Sequence, residues 1–148
     1  MRLLFIFLLC PFVELSAQSP ADSVRQVVTD FFTAMRRSDT AAMRACLSPS
    51  VHFEATQSRP DAEPTLIQES VANFLMSVSR IEAGLLDERI VFGSVLVDGS
   101  MATAWTPYEF YYNGKYSHCG VNSFQLIRLH GKWQIQYLID TRRKSCQE

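Results

Sequence analysis

The sequence is poor in the residues that announce a metal centre or a covalent mechanism. It holds three histidines and four cysteines in 148 residues. There is no Cys-x-x-Cys and no His-x-x-x-His spacing, which leaves no zinc pattern. A phosphate-cradling glycine loop, a nucleophile elbow and a metal triad are all missing, so neither a metal nor another cofactor is expected. Charge of one sign is missing too. Fourteen Lys and Arg stand against 15 Asp and Glu, net −1, with no long run of either. That excludes a phosphate-tracking surface or an acidic tail, and nucleic acid is not an expected partner. No apolar stretch reaches the about 20 residues that span a bilayer. A chain of this length, 47% hydrophobic and 20% charged, is one ordinary globular domain.

What is present begins with an export signal. Arg2 precedes an apolar run from Leu3 to Val13, and Leu15-Ser16-Ala17 ends on a small residue, the pattern of a cleaved secretory leader. Residues 1–17 are assigned to it and residues 18–148 to the domain. Cys10 follows Leu8-Leu9, where a lipid-attachment site would want a small residue, so no membrane anchor is expected after cleavage. The protein is expected in the periplasm or outside the cell. Cys46, Cys119 and Cys146 then remain, an odd number that allows one bridge and one leftover thiol.

Along the domain, Ser19-Pro20 opens a helix whose Val24, Val27, Val28, Phe31, Phe32 and Met35 recur at helical spacing. Ser38-Asp39 caps a second helix, Thr40 to Leu47, stopped by Ser48-Pro49. Val51 to Ala55 reads as a short strand, Gln57 to Pro64 as a loop, and Thr65 to Arg80 as a third helix. From Leu86 the period becomes two. Asp98-Gly99, Asn113-Gly114 and His130-Gly131 separate runs rich in Val, Ile, Phe, Tyr and Trp, which predicts four consecutive antiparallel strands with bends at Gly93 and Pro107. The class is α+β: a curved antiparallel sheet wrapped around three N-terminal helices, forming a cone with a pocket at its open end.

This order resembles the nuclear transport factor two-like superfamily, also described as SnoaL-like or cystatin-like α+β. Trp105 to Tyr111, Ser117 to Val121, Trp133-Gln134-Ile135 and Asp140 to Arg143 more narrowly resemble a bacterial group named for lumazine binding, whose ligand is not carried over to this chain. The superfamily contains isomerases, cyclases, dehydratases and non-catalytic binding domains. The resemblance therefore implies a fold without deciding for catalysis.

Strand register then selects candidate residues. A two-residue turn at Asn113-Gly114 sets Glu109 opposite His118, either an oriented base or a satisfied polar contact between strands. A turn at His130-Gly131 puts Phe124, Leu126, Trp133, Ile135 and Tyr137 on one parity, which must face the helices. Carried along the strands, that parity collects Trp105, Glu109, Tyr111, His118, Asn122 and Tyr137 at the open end. Arg143 falls opposite His118, as an anion clamp or a solvated chain end, while Asp140 is expected outward or lateral, ion-paired with an arginine. His52 and His130 are assigned no ligand role. Cys119 falls opposite Arg142, so Cys146 comes within reach of it, and Cys46 is left as core. Tyr108, Phe110 and Tyr112, beside Val121 and Ile127, take the opposite parity, an uncovered aromatic row expected to form a homodimer interface.

Three functions stay open. The first is an exported, non-catalytic pocket protein for a small aromatic or anionic ligand. The second is a lyase or isomerase using Glu109 and His118. The third is an interaction module whose cone is filled by its own side chains. A strongly perturbed carboxyl in an open cavity would favour the second, and a closed apolar cavity the third.

Overall fold

The computed structural model describes residues 18–59 and 62–146; the leader lies outside them. Helix α1 (Pro20–Arg36) starts as its sequence dictates, the Ser19 hydroxyl accepting the Asp22 N–H and Pro20 occupying the first turn. Helix α2 (Thr40–Ala45) is capped by Asp39. It ends earlier than expected, because Leu47 already belongs to a long strand, β1 (Leu47–Arg59).

The largest departure follows. The stretch read as a loop and the first turn of a helix is an edge strand, β2 (Ala62–Glu69), hairpinned onto β1. Pro64 is tolerated there because an edge strand leaves one row of N–H groups facing water. Leu66 and Ile67 are consequently exposed rather than core. Only then does α3 (Val71–Ser79) begin, with the Ser70 hydroxyl accepting the Asn73 N–H.

The meander contains five strands rather than four: β3 (Leu86–Ile90), β4 (Ser94–Asp98), β5 (Met101–Tyr112), β6 (Lys115–Leu129) and β7 (Lys132–Arg142). β3 and β4 lie in line along β5, interrupted where Val91 N–H donates to Pro107 O and Gly93 N–H to Trp105 O. The break thus falls at the expected Gly93 and Pro107 bend. The curved sheet runs β2-β1-β7-β6-β5-β3, antiparallel throughout except for the β1–β7 pair. Asn113-Gly114 and His130-Gly131 each adopt two successive positive φ angles, the tight turn that matches strand twist.

The helices fill the concave side. Val24, Val28, Phe31, Phe32 and Met35 of α1 meet Phe53, Ala102, Ala104, Phe124, Leu126 and Ile135 of the sheet in one buried cluster. Its aromatic rings pack edge to face.

Two one-residue insertions modify the ladders. Between β5 and β6, Phe110 pairs with His118 and Tyr111 with Tyr116, leaving Ser117 extra. Between β6 and β7, Gln125 pairs with Tyr137 and Leu126 with Ile135, leaving Gln136 extra. Gln136 is tied to the start of β1, accepting from the Ser48 hydroxyl at 2.7 Å and donating to Ser50 O at 3.0 Å.

Past the second bulge, Cys119 bridges Arg143 rather than Arg142, and a disulfide joins Cys119 to Cys146 with Cα atoms 6.1 Å apart. Cys46 is the free cysteine of the described residues. It is half-buried, with its thiol pushed up to about 11, first by burial and then by Asp30. Nearby, Gly120 lets β7 approach: a Cβ there would lie 1.8 Å from Thr141 O and 2.9 Å from the Tyr108 ring.

Gly120→Ala should therefore destabilise by several kcal/mol, since the obstructing atom is backbone. Denaturant unfolding checks this. Cys146→Ser should lower the unfolding free energy by about 3.5 kcal/mol, the chain-entropy value for a 27-residue separation. A loss well under about 1 kcal/mol would mean that the Cys119–Arg143 ladder holds the tail unaided.

Candidate functional site

The two bulges decide what faces the cone. Because side chains alternate with period two, one inserted residue reverses the phase beyond it. β5 thus presents Tyr108 and Phe110 inward, in step with His118 and Asn122, and sends Trp105, Glu109 and Tyr111 to the convex face. β7 presents Leu138, Asp140 and Arg142 inward and Tyr137 outward.

The expected gathering of Trp105, Glu109, Tyr111, His118, Asn122 and Tyr137 on one face is corrected accordingly. His118 and Asn122 line the cavity. Glu109 pairs with Cys119, not His118, and accepts from the Tyr111 hydroxyl at 2.8 Å in a separate outer hollow. Trp105 is 49% exposed, and Tyr137 hydrogen-bonds Glu54. Arg143 is exposed and paired with Cys119, so the clamp opposite His118 does not form. The aromatic row is corrected in the same way, since Tyr108 is buried and both Tyr108 and Phe110 pack against His118 from inside. Asp140 is ion-paired with an arginine, but inward.

The cavity has a volume of about 250 Å³. Phe31, Phe53, Phe74, Phe110 and Leu138 belong to its apolar wall. Its polar side has two parts. Arg142 Nε donates to Asp140 Oδ2 at 2.8 Å, and an Nη donates to Glu69 Oε1 at 2.7 Å. Tyr108 directs its hydroxyl between Asp140 Oδ2, 3.2 Å away, and Thr141 O, 3.0 Å away. Separately, Asn122 Nδ2 donates to Glu88 Oε1 at 2.8 Å. Among the described residues, no partner is found for Glu88 Oε2.

These environments set the protonation states. Burial pushes the Glu88 carboxyl up to about 8; Asn122 pulls the other way, Asp140 adds to the rise and Arg142 opposes it. Glu88 is partly exposed and borders the cavity. Burial, then Arg142, lowers His118 below its ordinary value. Burial and Asp140 raise Tyr108. Arg142 stays charged because Asp140 and Glu69 outweigh the burial that opposes its charge. At neutral pH the site therefore holds one compensated ion-pair cluster and one neutral acid with a free oxygen.

Sequence reasoning missed Glu88, although a signal was present: it alternates in phase with Leu86 and Ile90 on β3, the inward side of that strand.

No family model and no curated protein matches the chain. Solved structures do. A nuclear transport factor two-like (NTF2-like) protein of unknown function from Shewanella baltica is 14% identical over 84% of this chain and 94% of its own, with a TM-score of 0.66. A domain of unknown function with a cystatin-like fold from Nostoc punctiforme is 16% identical over 88% and 82%, also with a TM-score of 0.66. At such identities the likeness shows the fold alone. The chain has the NTF2-like, cystatin-like fold, and the narrower lumazine-binding likeness finds no support among these matches.

A raised carboxyl costs stability as it ionises. Glu88 contributes fully below its unfolded value near 4.5, and the contribution is lost as pH rises toward about 8. His118, with its lowered value, has the opposite sign and loses its contribution as pH falls. Comparison with Glu88→Gln cancels the histidine. Relative to that variant, the wild type should lose on the order of a few kcal/mol between mildly acidic and mildly alkaline pH. Parallel stability curves would show that Glu88 ionises normally.

Proposed function

We propose that this is an exported, non-catalytic domain that holds a small molecule in the cone, at the Glu88–Asn122 side of the cavity. One observation carries the reading: a carboxyl bordering a cavity whose lining includes several aromatic residues, with one oxygen held by the buried Asn122 amide and no partner for the other among the described residues. A carboxyl oxygen beside a cavity that has no protein partner among the described residues is where a ligand atom fits. Export follows from the leader-like residues 1–17, and the Cys119–Cys146 disulfide agrees with an oxidising compartment. A cavity of this volume argues against a cone filled by its own side chains. The aromatic half of the expected ligand keeps its support. The anionic half loses it, because Arg143 lies outside and Arg142 is already engaged.

The raised Glu88 carboxyl favours a second reading, acid–base catalysis of the lyase or isomerase kind, with Glu88 in the place expected for Glu109. It ranks below binding because Tyr108 and Asn122, the donors an oxyanion would need, already have partners. Under it, Glu88→Gln would abolish conversion of a recovered ligand without weakening its affinity.

Fragment titration followed by protein-detected NMR tests the binding reading. Responses should cluster on Phe110, His118 and Asn122. Leu138→Trp, which adds an indole at the cavity wall, should abolish them while leaving the Tm within a few degrees. Responses confined to the Glu109–Tyr111 hollow, or unchanged by Leu138→Trp, would refute it.

The convex face remains our proposed homodimer surface, now carried by Leu96, Met101 and Trp105. They are 68%, 53% and 49% exposed and share one face by register. Trp105→Asp should shift sedimentation toward monomer at micromolar concentration, and a wild type that is already monomeric would dismiss the surface.

A further inference from the structure

Charge around the cavity is lopsided. Glu54, Glu69, Glu88 and Asp140 border it, against a single arginine, Arg142. That arginine is spent: Asp140 holds its Nε and Glu69 an Nη. His118 has its charge suppressed by burial and by Arg142. The Glu54 carboxylate already accepts from Tyr137 and Gln68. On the neighbouring positions of β3, Asp87 takes up both Arg36 and Arg89, so neither serves Glu88. Glu88 is left as an enclosed acid whose one protein partner, among the described residues, is the Asn122 amide.

A buried carboxyl without a counter-ion keeps its proton, and a cation supplied from outside would remove the reason. The rest of the wall suits a cation. Phe31, Phe53, Phe74 and Phe110 present aromatic rings, and ring faces attract ammonium groups more strongly when water is excluded. An anion would find no available donor of positive charge, since Arg142 is already held by Asp140 and Glu69.

We propose that the cavity recognises a protonated amine on a compact apolar body, with Glu88 Oε2 accepting from the ammonium and Asn122 holding Oε1. This rests on the reading that the cavity binds a small molecule, and adds the ligand's charge. The balance is simple: the ammonium enters charged, the Glu88 carboxylic acid becomes a carboxylate, and its proton leaves to solvent. The cavity's volume, about 250 Å³, lies just below the usual range of about 300–1,000 Å³, which limits the body to one or two rings.

Three probes with the same ring separate the possibilities: 2-phenylethylamine, 2-phenylethanol and phenylacetate, titrated calorimetrically into the purified protein near neutral pH. The amine should bind at least about tenfold more tightly than the alcohol. Phenylacetate should bind most weakly. The heat of amine binding should vary with the ionisation enthalpy of the buffer, reporting the released proton, while that of the alcohol should not. Glu88→Gln should weaken the amine by about tenfold or more and leave the alcohol unchanged. If the alcohol or phenylacetate equals the amine, or Glu88→Gln leaves amine affinity intact, the amine assignment falls and the pocket stands. If none of the three perturbs Phe110, His118 or Asn122 by NMR, both readings fall.

Discussion

One extra residue in each of two neighbouring strands governs which side chains meet inside the cone. Ser117 in β6 and Gln136 in β7 shift the phase of everything beyond them. Without the first, Glu109 would be the carboxyl opposite His118. With it, Phe110 takes that place and Glu109 faces the other side of the sheet. Without the second, Tyr137 and Arg143 would point inward. With it, Leu138, Asp140 and Arg142 do. Both bulges are anchored by side chains, Gln136 by Ser48 and Ser50, and Ser117 by the His118 ring nitrogen 3.1 Å away. They are built features, and they also give the sheet the bend that a cone requires.

The cavity that results contains two solutions to one problem, the burial of charge. Arg142 with Asp140 and Glu69 solves it by pairing, with short hydrogen bonds that offset desolvation. Glu88 solves it by keeping its proton. The contrast follows from supply, since one cation is shared by two acids and none remains for the third. A neutral acid beside a closed ion-pair cluster is a poor host for an anion and a good one for a group that can donate to, or compensate, the free oxygen. The aromatic wall sharpens this preference by excluding water.

The two solved structures compared above are described as of unknown function, so their likeness adds nothing about the ligand. The site proposed above is built from side chains that several strands contribute to one cavity. Such a site can change completely on an unchanged scaffold.

Local chemistry made much of this protein legible in its sequence. The capped start of α1, the turns at Asn113-Gly114 and His130-Gly131 and the α+β order all follow from short-range preferences of a few adjacent residues, and the turn at His130-Gly131 brings Cys119 near Cys146. Asn122 and His118 were placed in the cavity because they share the uninterrupted phase of Phe124 and Leu126. The rest depended on contacts between distant segments. Residues 62–69 form a strand because β1 offers them an edge to pair with, a fact absent from their own composition. The phases of β5 and β7 turn on bulges that neither Ser117 nor Gln136 announces, since an inserted residue is defined only against its partner strand. Glu88 alternates in phase with Leu86 and Ile90, yet becomes an acid of the cavity only when the sheet curls around it. Sequence determines preferences within one strand or helix; the phase between strands, and with it the identity of the site, is decided by tertiary pairing, because a one-residue offset costs little locally yet moves every side chain beyond it to the opposite face.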